Sequence, residues 1–260
     1  MSKLHRAFLN GKAFIGFVMG GDPTIEKSEE FILELVRGGA DLIEIGIPFS
    51  DPVAEGDVIQ AANLRALSAG ATTDKIFGLV ASVRQKTDIP LVFLTYLNPV
   101  FKYGYERFFA RCQDLDVGGI IIPDLPYEEK EEIRAIAQKH GVDIISMIAP
   151  TSEERIKKIA SSASGFLYIV SSMGVTGVRS EISTDLKDIL KAVRAATSLP
   201  AAVGFGISTP AQAREIAEIA DGVIVGSAIV KIIEQHEAGA GEYIYEYART
   251  MKAATVCNPQ

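Results

Sequence analysis

Absences narrow this chain first. Its 260 residues include two cysteines, Cys112 and Cys257, far apart and outside any metal-type spacing. They read as unpaired thiols of a reducing compartment, and neither is a site candidate. Positive charge is in deficit, with 26 Lys and Arg against 33 Asp and Glu and a formal net charge of -7. With no Lys/Arg run either, a nucleic-acid partner is excluded. No apolar run is long enough to span a bilayer, and the opening "MSKLHRAFLNGKAF" lacks the apolar core and cleavage site of a signal peptide. A cytoplasmic location is therefore expected. His5, His140 and His236 fall in predicted helices or at their ends, without zinc spacing, so no metal site is expected. No lysine stands in or at the end of an apolar run, which removes the usual Schiff-base nucleophile.

What is present is a repeat. Eight short runs rich in Ile, Val and Phe begin near residues 13, 40, 90, 117, 143, 165, 200 and 221. Most are continuous rather than alternating, the pattern of parallel strands covered on both faces. Amphipathic stretches lie between them, such as "EEKEEIRAIAQKH" with Ile133, Ile136 and Ala137 at helical spacing. Thr151 with Glu154 predicts a capping box, Thr209-Pro210 an N-cap followed by N1, and Asp57 a cap for "VIQAANLRALSAG". Eight strand-helix units predict an α/β fold, a (β/α)8 TIM barrel forming one domain over residues 1–260. An extra N-terminal helix, "SKLHRAFLN", and a closing helix, "GEYIYEYARTMKAA", complete it. An open doubly wound sheet is the alternative, but no first strand ends in a full G-x-G-x-x-G turn and no composition shift marks a second domain.

In a barrel, chemistry stands on the loops after the strands. Glu44, inside the apolar "LIEIG", is either paired to a structural cation or held at the barrel mouth as an acid/base raised by apolar neighbours. Glu55, in the loop that follows, is the best second carboxylate. Gly174, Thr176 and Gly177, then Gly204 with Gly206, then Gly226 with Ser227, mark turns after the last three strands. Together they point to a phosphate held by backbone N–H groups. A phosphate anchor, two carboxylates and no lysine or metal fit proton-transfer chemistry on a phosphorylated substrate with an apolar body. An indole qualifies, because protonation at C3 lets the ring take up the electrons of a breaking carbon-carbon bond.

The segments "EIGIPFSDPVAEGD", "LTYLNPVFKYG", "IIPDLP", "IAPTSEERI", "YIVSSMGVTGVR", "VGFGISTP" and "GVIVGSAIV" occur in that order, and together they resemble the tryptophan synthase alpha subunit family. The resemblance implies a lyase of tryptophan biosynthesis, cleaving indole-3-glycerol phosphate to indole and glyceraldehyde 3-phosphate. It implies no cofactor in this chain, and a beta subunit carrying pyridoxal phosphate in an alpha2-beta2 heterotetramer. Glu44 matches the family's acid/base. Glu55 stands where the family has Asp, "AEG" replacing "ADG". The phosphate falls to Gly177, Phe205, Gly206, Gly226 and Ser227, and the indole to Phe17, Ile59, Leu94, Tyr96 and Tyr168. Thr176 would help close the site and orient Asp51, while Pro48, Asp51 and Asn98-Pro99 would face the beta subunit. A free-standing lyase, a sugar-phosphate isomerase, and a subunit that mainly binds and activates the beta chain remain open alternatives.

Overall fold

A computed structural model describes residues 2–171, 184–204 and 206–256, with backbone only at 184 and 185. Nine parallel strands form one sheet: β1 (Ala13–Met19), β2 (Leu42–Gly46), β3 (Leu91–Leu94), β4 (Gly119–Ile121), β5 (Asp143–Ile144), β6 (Ser146–Ile148), β7 (Leu167–Val170), β8 (Ala201–Gly204) and β9 (Gly222–Val225). Their order is β5-β4-β3-β2-β1-β9-β8-β7-β6. β1 pairs with both β2 and β9, so first and last strands are joined and no switch point exists. That is a barrel, not an open doubly wound sheet. The predicted run "DIISMIA" is interrupted at Ile145, so one expected strand becomes β5 and β6, and the sheet closes through them.

The side-chain period of two sorts each strand into an inner and an outer set. Ala13, Ile15, Leu42, Val92, Ile121, Ile145, Phe166, Tyr168, Ala202 and Ile224 pack together inside the barrel. The outer set, with Ile43 and Ile45 among it, packs against the helices. Both sets are buried, which explains why the strands read as continuous apolar runs. Pro90 and Pro200 stand immediately before β3 and β8, where a missing N–H costs the ladder least.

The N-terminal segment forms a 3-10 helix, Lys3–Phe8, shorter and tighter than the predicted capping helix. It sends Leu4, fully buried, into the N-terminal end of the barrel. A Cβ on Gly119, at the start of β4, would come within 2.8 Å of Leu4. Glycine there lets the plug seat, and burying the leucine contributes roughly 1.5–3 kcal/mol. The closing helix spans Gly241–Thr255 as expected.

Two predicted caps move by one residue. Helix Glu153–Ser161 is capped by Ser152, whose Oγ accepts from Arg155 N at 3.3 Å, so Thr151 lies outside it. Asp57 is the first residue of helix Asp57–Ser68, after Gly56 at the N-cap. Its carboxylate acts there on the helix dipole rather than as a hydrogen-bonding cap. Thr209 does cap Pro210–Ile219, in a reciprocal box with Gln212. Cys112 is a free, buried thiol, and Cys257 lies outside the described residues.

Candidate active site

Register decides where Glu44 points. On β2 it alternates with Ile43 and Ile45, which face the helices, and follows Leu42, which faces the barrel interior. It stands level with Phe17 on β1 and Val92 on β3. Only 2% of Glu44 is exposed. Burial, and then repulsion from Glu55, push its carboxyl up to about 8. Nothing in its surroundings pulls it down, so a structural cation partner, one of the two readings of the sequence, does not apply among the described residues.

Glu55 arrives from the loop between β2 and helix Asp57–Ser68. Burial raises it to about 7, opposed by a hydrogen bond from Asn63 Nδ2 to its Oε2 at 2.7 Å. The Glu55 charge thus adds to the burial of Glu44, whose value of about 8 lies above the Glu55 value of about 7. The more buried member, without a donor, keeps its proton longer.

Asn63 lies in "IQAANLRAL", a segment that also carries the family resemblance, but it was not among the residues singled out in the sequence. It is buried, on the inner face of helix Asp57–Ser68, and its amide is used at both ends. Oδ1 accepts from Phe49 N at 2.8 Å, while Nδ2 donates to Glu55 and, at 3.0 Å, to the Ile59 carbonyl. Tyr96 adds a further tie, its hydroxyl accepting from Ala54 N at 3.0 Å. The loop is thus held at its beginning and its end. An asparagine within a helix, a poor helix former buried on the inner face, is the one signal that could have marked it.

The predicted indole residues surround the pair. Phe17, Ile59, Tyr96 and Tyr168 are buried and Leu94 is half-buried. Proximity shows in the charges: Glu55 contributes to raising the Tyr96 hydroxyl to about 12, and Glu44 adds to the burial that raises Tyr168. Tyr168 lies over Gly204, where a Cβ would meet its hydroxyl at 2.6 Å.

Among the predicted phosphate residues, Gly226 and Ser227 sit beside this group. Gly226 is the N-cap of helix Ser227–His236, and a Cβ placed on it would lie 3.6 Å from Phe17 Cβ. With no side chain capping that end, the first N–H groups of the helix point outward at an anion-favouring terminus. Gly206 has φ +77°, a conformation that favours glycine. Gly174, Thr176, Gly177 and Phe205 lie outside the described residues. Asp51 is exposed and accepts from the Ser50 hydroxyl.

Other charged residues near the strand ends are structural. Asp22, fully buried, takes a bidentate bond from Arg65, both at 2.8 Å. Asp124 Oδ1 accepts from Leu97 N at 2.9 Å, at the start of helix Leu97–Tyr103. His140 ends helix Glu131–Lys139 and bonds Gln113 and Glu106. Among the described residues no group of His, Cys, Asp and Glu has the geometry of a metal site, and no helix is long and apolar enough to cross a membrane.

Comparison with known proteins agrees with this geometry. A family model for the tryptophan synthase alpha chain matches residues 5–256. The tryptophan synthase alpha chain of Lacticaseibacillus casei is 51% identical over 260 residues, covering 100% of this chain and 98% of that one. The crystal structure of tryptophan synthase subunit alpha from Legionella pneumophila aligns with a TM-score of 0.89 at 36% identity, over 98% of each chain. The tryptophan synthase complex from Pyrococcus furiosus aligns with a TM-score of 0.86 at 33% identity, over 94% of this chain and 98% of that one.

Proposed function

Because the chain belongs to the tryptophan synthase alpha chain family, we propose that Glu44 and Glu55 carry out the family's reaction, cleavage of indole-3-glycerol phosphate to indole and glyceraldehyde 3-phosphate. The observation that carries this reading is the carboxyl pair, Glu44 buried and Glu55 half-buried, both raised, near aromatic side chains and a helix N-terminus. A group held near pH 7–8 can both give and take a proton at neutral pH.

The retro-aldol step needs one proton delivered to indole C3 and one removed from the glycerol hydroxyl next to the ring. The bond between C3 and that carbinol carbon then breaks, its electrons staying with the ring, and the carbinol becomes the aldehyde. Glu44, protonated at neutral pH, supplies the first proton and receives the second. Glu55, with the lower value, is about half ionised at neutral pH, and its ionised form holds the indole N–H, stabilising positive charge on the ring. Phe17, Ile59, Leu94, Tyr96 and Tyr168 enclose the indole. Gly206, Gly226 and Ser227, with Gly177 and Phe205, receive the phosphate, and Asp51 with Thr176 closes the site.

No step here calls for a cofactor in this chain. In the family the pyridoxal phosphate belongs to the beta subunit, and the Pyrococcus furiosus synthase is an a2b2 complex. The same alpha2-beta2 assembly is assigned to this chain, with Pro48, Asp51 and the Asn98-Pro99 turn toward the partner. We also take residues 1–260 as one domain and place this biosynthetic enzyme in the cytoplasm.

The test is indole release from indole-3-glycerol phosphate by the purified chain, with and without a cognate beta subunit. Slow release that rises on adding the partner, and is abolished in Glu44→Gln, is expected. No release in either condition, despite tight partner binding, would favour the activating-subunit reading. Release indifferent to the partner would favour a free-standing lyase.

A further inference from the structure

A cavity of about 360 Å³ is bounded by the segment after β4, by β5, Ile145 and β6, and by helix Glu153–Ser161. None of the residues assigned above to catalysis, indole or phosphate lines it. Its walls are mostly apolar, with Ile122, Leu125, Ile144 and Ile159 among them. One wall carries a cation. Lys130 is only 6% exposed, and its ammonium has neutral neighbours: Ser162 Oγ at 3.2 Å, Ser146 Oγ at 3.5 Å, and the face of Tyr127 at 4.7 Å from the ring centre.

Among the described residues no carboxylate forms an ion pair with Lys130. Arg155 also lines the cavity, but Glu128 already holds it through two hydrogen bonds at 2.9 and 3.1 Å. Burying an ammonium without a counter-charge is costly, and two hydroxyls and a ring face offset only part of that cost. Burial, and then repulsion from Arg134, draw the Lys130 value down, with Glu131 opposing them from a distance too great for an ion pair. Lys130, Ser146 and Tyr127 all line the cavity, while Ser162 lies outside its lining. Size and lining match small-molecule pockets, which are mostly apolar with a few placed polar groups.

We propose that this cavity is a second ligand site, which takes an organic carboxylate with a compact apolar body and seats the carboxylate on Lys130. The proposal is independent of the roles given to Glu44 and Glu55, so either can fail without the other.

Calorimetric titration with phenylacetate and its neutral counterpart phenylacetamide tests it. Phenylacetate is expected to bind at one site, and phenylacetamide about tenfold more weakly or worse. Lys130→Met should fold normally, because replacing an uncompensated buried charge by an apolar chain of similar length is neutral or stabilising. It should lose about tenfold or more in phenylacetate affinity, Lys130→Arg should retain binding, and Glu44→Gln should leave it unchanged. Absence of phenylacetate binding, equal binding of the amide, or binding that ignores Lys130→Met but responds to Glu44→Gln would each overturn the proposal. A crystal of the wild-type chain soaked in 4-bromophenylacetate gives a readout free of any variant. Bromine in the cavity with the carboxylate at Lys130 supports the site; bromine only in the catalytic cleft, or nowhere, refutes it.

Discussion

Replacing Glu44 by Gln should cost the enzyme its activity and yet protect its fold at alkaline pH. In the folded chain burial and Glu55 lift this carboxyl from 4.5 to about 8. A displacement of that size makes the ionised form worse by roughly 5 kcal/mol at about 1.4 kcal/mol per tenfold, and relaxation with water entry reduces it to about 2–4 kcal/mol. The sign follows from proton counting. Between 4.5 and about 8 the folded state keeps a proton that the unfolded chain has released, so stability falls as pH rises through that window. The contribution is whole below 4.5 and gone above about 8. Glutamine has no proton to lose. Urea unfolding of both proteins at about pH 5 and about pH 9 should show the wild type losing about 2–4 kcal/mol more than Glu44→Gln. Glu55 lowers stability in the same direction in both, so the difference reports Glu44 together with its repulsion from Glu55. Equal losses would refute the buried, proton-bearing glutamate.

Three other substitutions test the surroundings. Asn63→Ala removes the amide that lowers Glu55, so the acidic limb of the pH-rate profile should move to higher pH, and the fold should lose about 1–3 kcal/mol in urea; an unmoved profile would separate Asn63 from the site. Arg65→Leu strands the fully buried Asp22, and urea unfolding should show a loss of about 3–5 kcal/mol. Gly204→Ala puts a methyl where the Tyr168 hydroxyl lies at 2.6 Å, so the ring must shift. Its KM should rise, with a stability cost of about 1–3 kcal/mol, and an unchanged KM would remove Tyr168 from the indole wall.

The architecture was legible because double burial leaves a plain trace. Each strand faces both the barrel interior and the helices, so its residues are apolar without alternation, and Glu44 stood out as the lone charge in β2. Of the glycines after the late strands, Gly206 has the positive φ that favours glycine, whereas Gly226 has negative φ and room for a Cβ at ordinary contact distance. Features set by tertiary approach were not legible. "DIISMIA" does not announce its break at Ile145, and Thr151 and Ser152 offer equivalent hydroxyls for one cap. Lys130 sits in "EEKEE", which reads as a solvated run, although its side chain turns inward toward Ser146 and Ser162.

Asn63 is the most consequential of the illegible residues, because it separates the duties of two chemically identical groups. A proton-transfer pair works when its members prefer different states at one pH. Strand register buries Glu44 inside the barrel, with no donor to it among the described residues, which favours the acid. The loop carries Glu55 back over helix Asp57–Ser68, where the Asn63 amide favours the carboxylate. The same asparagine fixes Phe49 at the start of that loop, and Tyr96 fixes Ala54 next to Glu55. The position of the Glu55 carboxylate is therefore set by anchors outside its own backbone. A side chain one methylene longer than the family's aspartate can be held on target in that way, provided the helix beneath it stays in place. Arg65, on that helix, ties it to buried Asp22 just after β1, while Ile59, Ala62 and Ala66 pack it into the core.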